Sequence, residues 1–255
     1  MKIHTIYLIA TVLFHISVYY LNIFSRDIYS IDWKGGFDEH KVFNFFTSFL
    51  VGGTFISNLE KHGINSNLKA DDVGYYFMLV LFYSGFIQLR NLYYSMKTLE
   101  NSGKSQEQGK KNLLYTVGVV SLLICAYGLL GPMLMKNKLF YSFINGIANF
   151  IGKLGFDSQL VKVMQQPVLN YIPFHMALYT ICCNMIPLHE NDLVAFKVQD
   201  QYLPYLLLAI YFIMGLFFNI GSFYDYTMYH MVMGTLVGKG FSHFAQDRKF
   251  IKIQA

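Results

Sequence analysis

Residues 113–135 read LLYTVGVVSLLICAYGLLGPMLM, twenty-three consecutive positions without a charged side chain. A helix of that length rises about 35 Å, enough to cross a bilayer hydrocarbon core of about 30 Å. The stretch is therefore a candidate membrane span, and similar apolar runs lie on both sides of it. They cover about 4–24, 43–59, 73–95, 168–188 and 202–221. With 54% hydrophobic and 14% charged residues over 255 positions, the chain is too apolar to cover its hydrophobic surface in one water-soluble core. The apolar runs are continuous and do not alternate with polar residues, which argues against barrel strands. These features predict an all-α polytopic membrane protein of about six transmembrane helices, forming a single domain over residues 1–255.

Two segments depart from the spanning pattern. Residues 139–154 place Leu139, Phe143, Ile147, Phe150 and Leu154 on one helical face, opposite Ser142, Asn145, Asn149 and Lys153. This spacing predicts an amphipathic helix lying in the membrane surface. Residues 238–255 read as a basic tail carrying Lys239, Arg248, Lys249 and Lys252. Between the sixth span and that tail, residues 222–237 are apolar enough to prolong the sixth helix or to make a short seventh one; prolongation is expected, with Asp225 near an interface where its charge costs least. The first apolar stretch lacks a small-residue cleavage site and is expected to be a retained helix. Lys and Arg divide almost evenly between alternate loops, so the positive-inside rule does not set an orientation.

The strongest packing signal lies in the fourth span. Gly118, Ser121, Cys125, Gly128 and Pro132 recur at alternating spacings of three and four, so they share one helical face. Small residues along such a stripe let a neighbouring backbone come close, which is how helices associate in lipid. The stripe is expected to face another helix.

Polar residues inside apolar segments are the candidates for chemistry. His175, Tyr179 and Cys182 share a face of the fifth span, and His15 on the first span would be the natural second axial ligand for a haem. A hydrogen bond from His175 to a neighbouring helix is the expectation here, and no catalytic, cofactor-binding or metal-binding residues are assigned. The grouping that would favour an enzyme or transporter is His175, Asp225 and His230, between the fifth and sixth helices. Arg90, Lys153 and Lys239 are candidates for contact with lipid headgroups. Cys125, Cys182 and Cys183 fall in apolar segments without a CxxC pair, so they suit packing better than metal ligation.

Several function classes are excluded by motif. Neither GxxxxGK[ST] nor GxGxxG occurs, and no basic stripe suited to nucleic acid is present. The run from Asn184 through Pro187 to Asp192 resembles the pattern near the metal of site-2-type intramembrane metalloproteases, yet the HExxH that holds their zinc is missing. In composition alone, rich in Phe, Tyr, Ile and Asn, the chain resembles accessory membrane subunits of mitochondrial respiratory-chain complexes from AT-rich protists. That resemblance implies a non-catalytic subunit of the mitochondrial inner membrane, packed against other membrane subunits and against phospholipids, anionic ones included. The alternative is a lipid-modifying enzyme or transporter, with the endoplasmic reticulum as the alternative membrane.

Overall fold

The computed structural model describes residues 2–19, 31–32, 89–155, 158–165, 168–169, 171–185, 199–218 and 221–248. Among them the architecture is helical. In chain order the elements are α1 (Ile3–Tyr19), the short strand β1 (Ile31–Asp32), α2 (89–101), α3 (Gln106–Met135), α4 (Lys138–Lys153) and α5 (Leu160–Gln165). There follow β2 (Val168–Leu169), α6 (Tyr171–Met185), a 3-10 turn (Asp200–Tyr202), α7 (Leu203–Phe218) and α8 (Gly221–Arg248). The expected second span, 43–59, and most of the third lie outside the described residues.

α3 is the one helix among the described residues that is long and apolar enough to cross a membrane. Its 30 residues rise about 45 Å. Ser105 caps its start, accepting a hydrogen bond from the Gln108 N–H at 3.2 Å, and Glu107 stands in the first turn, where the helix dipole favours a negative charge. Near its other end, Pro132 has no N–H to offer the Gly128 carbonyl, and the helix stops three residues later.

The polar segment Met96–Asn112, whose length suggests a loop, is mostly helix. α2 continues through residue 101, α3 begins at Gln106, and only residues 102–105 make the turn. Hydrogen bonds tighten that turn. Ser102 Oγ donates to the Leu99 carbonyl at 2.7 Å, and Asn112 Nδ2 donates to Ser102 Oγ at 3.2 Å. α2 and α3 meet so closely that a Cβ at Gly109 would collide with the Glu100 backbone.

One core cluster joins four helices. Leu92, Met96 and Leu99 of α2 meet Leu113, Val120, Ile124 and Tyr127 of α3, then Phe174, Ala177, Leu178, Ile181 and Cys182 of α6, with Phe241 and Ala245 of α8. Spacings that recur at three, four and seven put these residues on one face of each helix, with adjacent pairs widening that face on α6.

α6 and α8 make the tightest long contact. A Cβ added to Gly238 would stand 2.6 Å from the Ala177 carbonyl oxygen and 2.8 Å from Thr180 Cβ, and one at Gly234 would meet the Pro173 carbonyl and Met176. The order of these contacts, 234 to 238 along 173 to 180, makes the two helices parallel. Pro173 is tolerated because it lies in the first turn of α6, where an N–H has no helical acceptor.

These contacts correct two sequence expectations. Were 222–237 a straight prolongation of the sixth helix, Gly238 would lie about 50 Å from Leu203. Instead Leu203 packs with Tyr179 and Cys183, and Gly238 packs one turn away on Ala177 and Thr180. The chain therefore turns back between α7 and α8, because apolar faces on both helices are buried by folding them beside α6. The basic tail is likewise helix as far as Arg248, with Phe241, Ser242 and Ala245 buried. The helix expected over 168–188 starts later than its apolar run, at Tyr171, since Val168 and Leu169 pair antiparallel with Asp32 and Ile31.

The α6–α8 contact generates a test. Gly238→Leu overfills a site where overpacking typically costs about 1–3 kcal/mol or more, so it is expected to lower the thermal unfolding midpoint in detergent. Gly240→Leu, on the same helix with open space beyond it, should leave the midpoint nearly unchanged.

Candidate functional site

The most organised polar site lies where α1 meets the end of α2. Glu100 is 3% exposed and His4 equally so. The Glu100 carboxylate accepts from the Ile3 N–H at 3.2 Å through Oε1, and from the His4 N–H at 3.1 Å through Oε2. His4 Nδ1 lies 2.7 Å from the same Oε2. A carboxylate can only accept, so the imidazole carries its proton on Nδ1. Glu100 thus caps the start of a helix 96 positions away in sequence, with its charge at the positive end of that helix dipole. The His4 ring also meets Tyr93 edge-on at 5.2 Å, and Lys2 Nζ donates to Asn101 Oδ1 at 3.5 Å.

Burial raises the pKa of the Glu100 carboxyl, but the hydrogen bonds from the His4 N–H, the His4 ring and the Ile3 N–H outweigh it. The net result lies below the ordinary value of 4.5. Both oxygens accept from donors of α1, so the arrangement serves as a clamp between α1 and α2.

A second polar cluster joins α3 to α8. The Tyr127 hydroxyl and His230 Nδ1 are hydrogen-bonded at 2.9 Å, both side chains buried. Tyr229 stacks its edge against His230 at 5.3 Å and tilts against Tyr127 at 5.8 Å. Its hydroxyl would lie only 2.8 Å from a Cβ on residue 131, so glycine at 131 makes room for this aromatic group.

Of the alternative grouping of His175, Asp225 and His230, two side chains are described. His175 is fully buried in α6 with its ring stacked on Tyr179 at 6.4 Å, whereas His230 is held by Tyr127 of α3. The side chains of Asp225 and His15 lie outside the described residues. No group of three His, Cys, Asp or Glu side chains placed to hold a metal occurs among the described residues.

The other singled-out residues are placed as follows. In the α3 stripe Gly128 is buried, Ser121, Cys125 and Pro132 are half-buried, and Gly118 is exposed with nothing within 4 Å of an added Cβ. At 100° per residue the stripe lies about 110° from the face bearing Val120, Ile124 and Tyr127, so it flanks the core face. Lys239 Nζ donates to Asn184 Oδ1 at 2.5 Å, tying α8 to the end of α6. Arg90 lies over the Tyr94 ring at 5.4 Å, while Lys153 is exposed at the end of α4. Cys182 Sγ donates to the Ser95 carbonyl at 3.3 Å and acts as a link between α6 and α2.

Comparison with protein-family models, with characterised proteins and with solved structures finds no match.

Two outcomes follow from these clusters. A carboxyl whose folded pKa is depressed contributes stability above its unfolded pKa and loses it as pH falls through the folded value. Thermal melts from about pH 6 down to about pH 3 should therefore show native protein losing stability more steeply than Glu100→Gln. Tyr127→Phe strips His230 Nδ1 of a buried partner and should cost about 1–3 kcal/mol in denaturant or thermal unfolding.

Proposed function

We propose that this chain is a non-catalytic accessory subunit of a multi-subunit membrane complex, residing in the mitochondrial inner membrane with about six spans and packing other membrane subunits and lipids. What carries the reading is how the described polar side chains are used. Glu100, Tyr127, Cys182, Asn184 and Lys239 each join one helix to another. Hydroxyls on helix faces are turned inward onto their own carbonyls, as Thr180 to Met176, Thr235 to Met231 and Ser242 to Gly238. An enzyme or pump would be expected to converge such groups on a cavity.

The outside of the molecule supports the same reading. Leu122 and Met133 of α3, Leu13 of α1 and Leu236 of α8 are all more than half exposed. Rows of apolar side chains on several helices call for lipid or partner helices to cover them. The respiratory chain is the complex favoured by the aromatic-rich composition.

The test is native purification in mild detergent followed by mass spectrometry of the intact assembly. Other membrane subunits are expected at fixed stoichiometry. Recovery of a monodisperse, lone protein would overturn the proposal.

A further inference from the structure

We propose that α4 is a docking surface for an anionic lipid bilayer, with Leu139, Phe143 and Phe150 entering the acyl zone and Lys136, Lys138 and Lys153 meeting headgroup phosphates. This deepens the reading of a membrane subunit and rests on it.

The first observation is that α4 has three faces where a solvated surface helix has two. Ile144 is buried in a cluster with Met135 and Met164, Phe140 and Ile147 pack against it, and Ala148 is buried as well. Ser142, Asn145 and Asn149 occupy another arc with the lysines. The third arc spans about 40° at 100° per residue. It holds Leu139, Phe143 and Phe150, which are 83%, 64% and 62% exposed although the helix is docked. Three faces call for three environments: protein, hydrocarbon and water. A membrane interface supplies the last two along one line.

The second observation is where the helix starts. α3, the helix long and apolar enough to cross a membrane, ends at Met135, and only Lys136 and Asn137 precede α4. Met133, in the last turn of α3, is 66% exposed. The outward apolar surface of α3 therefore passes directly to the outward arc of α4 at the level where a span must reach the headgroups. The Asn137 side chain fixes the change of direction, accepting from the Leu139 N–H at 2.9 Å and the Phe140 N–H at 3.3 Å. At the other end Gly155, with φ +91, stops the helix in a backbone conformation that favours glycine.

Charge selects the class of lipid. Lys136, Lys138, Lys153 and Lys162 are exposed on and beside α4, and residues 136–165 contain one acidic residue, Asp157. A surface with this excess of lysine, rimming apolar side chains, is attracted to phosphates that carry net negative charge.

Fluorescence of the full-length chain in vesicles tests this. In a Trp33→Phe background, Phe143→Trp and Asn145→Trp place single reporters on the outward and polar arcs of α4. Vesicles mix phosphatidylcholine with phosphatidylglycerol, and either lipid carries brominated acyl chains. Bromine is expected to quench the Phe143→Trp reporter and to spare the Asn145→Trp reporter. Quenching from brominated phosphatidylglycerol should exceed that from brominated phosphatidylcholine by about twofold, and adding Lys138→Gln with Lys153→Gln should abolish the difference. An unquenched Phe143→Trp reporter would mean that a protein partner covers the arc or that it faces water, and would overturn the proposal. Equal quenching by both lipids would overturn the anionic selectivity. Neither result depends on whether other subunits co-purify, so failure here is separable from failure of the subunit reading.

Discussion

The rest of the structure depends on the near-contact of two backbones, α6 and α8, at Gly234 and Gly238. In the membrane setting proposed for this chain, helix association gains little from hydrophobic burial, because acyl chains are as apolar as leucine. Close approach, with dispersion summed over many atoms, has to replace it. Two glycines one turn apart allow that approach, and Ser242 one turn further continues the row of small residues with its hydroxyl folded onto Gly238. Because α8 lies parallel to α6, α7 must run between them in sequence as the returning arm. The placement of Tyr229 and His230 against α3 follows from the same register.

Polar groups then act as fasteners at defined heights on this frame. The Glu100 clamp sits opposite Gly109, near the start of α3, and the Tyr127–His230 bond lies eighteen residues further on, about 27 Å along the helix axis. Lys239 and Asn184 fasten α8 to α6, and Cys182 fastens α6 to α2. Helices joined at such separated levels cannot slide past one another without breaking several buried hydrogen bonds at once. Breaking the buried ones, at Glu100, Tyr127 and Cys182, takes a hydrogen-bond partner from a polar group in apolar surroundings, which costs more than the bond gains when formed.

Helix existence was legible in the sequence because it depends on local periodicity. Residues 113–135 and the amphipathic spacing of 139–154 both correspond to helices, α3 and α4, with ends set by Ser105, Asn137 and Gly155. What escaped was anything requiring two distant segments. The Gly234–Gly238 pair was readable as a small-residue motif, but the lysines nearby drew residues beyond 238 into an expected tail. The more conspicuous row in α3 runs from exposed Gly118 to buried Gly128, since five small residues reveal a face but not what lies opposite it. His4 and Glu100 carried no mutual signal. A glutamate in a polar segment and a histidine near the start of an apolar one are each unremarkable until folding places them 2.7 Å apart.

That last pair shows which effect wins when a charge is buried at a helix terminus. Removing a carboxylate from water costs several kcal/mol, and a single neutral hydrogen bond returning about 1 kcal/mol would not offset it. Glu100 receives three donors, all from the first turn of α1, and the helix dipole acts in the same direction. The depressed pKa is the balance of those terms, since it requires the native environment to favour the charged form despite burial. The same geometry explains why the partner must be the start of a helix. Only there do consecutive backbone N–H groups stand without intrahelical acceptors, so a buried carboxylate can satisfy them and be satisfied by them at once. α1 is thereby anchored by its first turn, and its exposed Ile6, Ile9 and Leu13 are left to face outward.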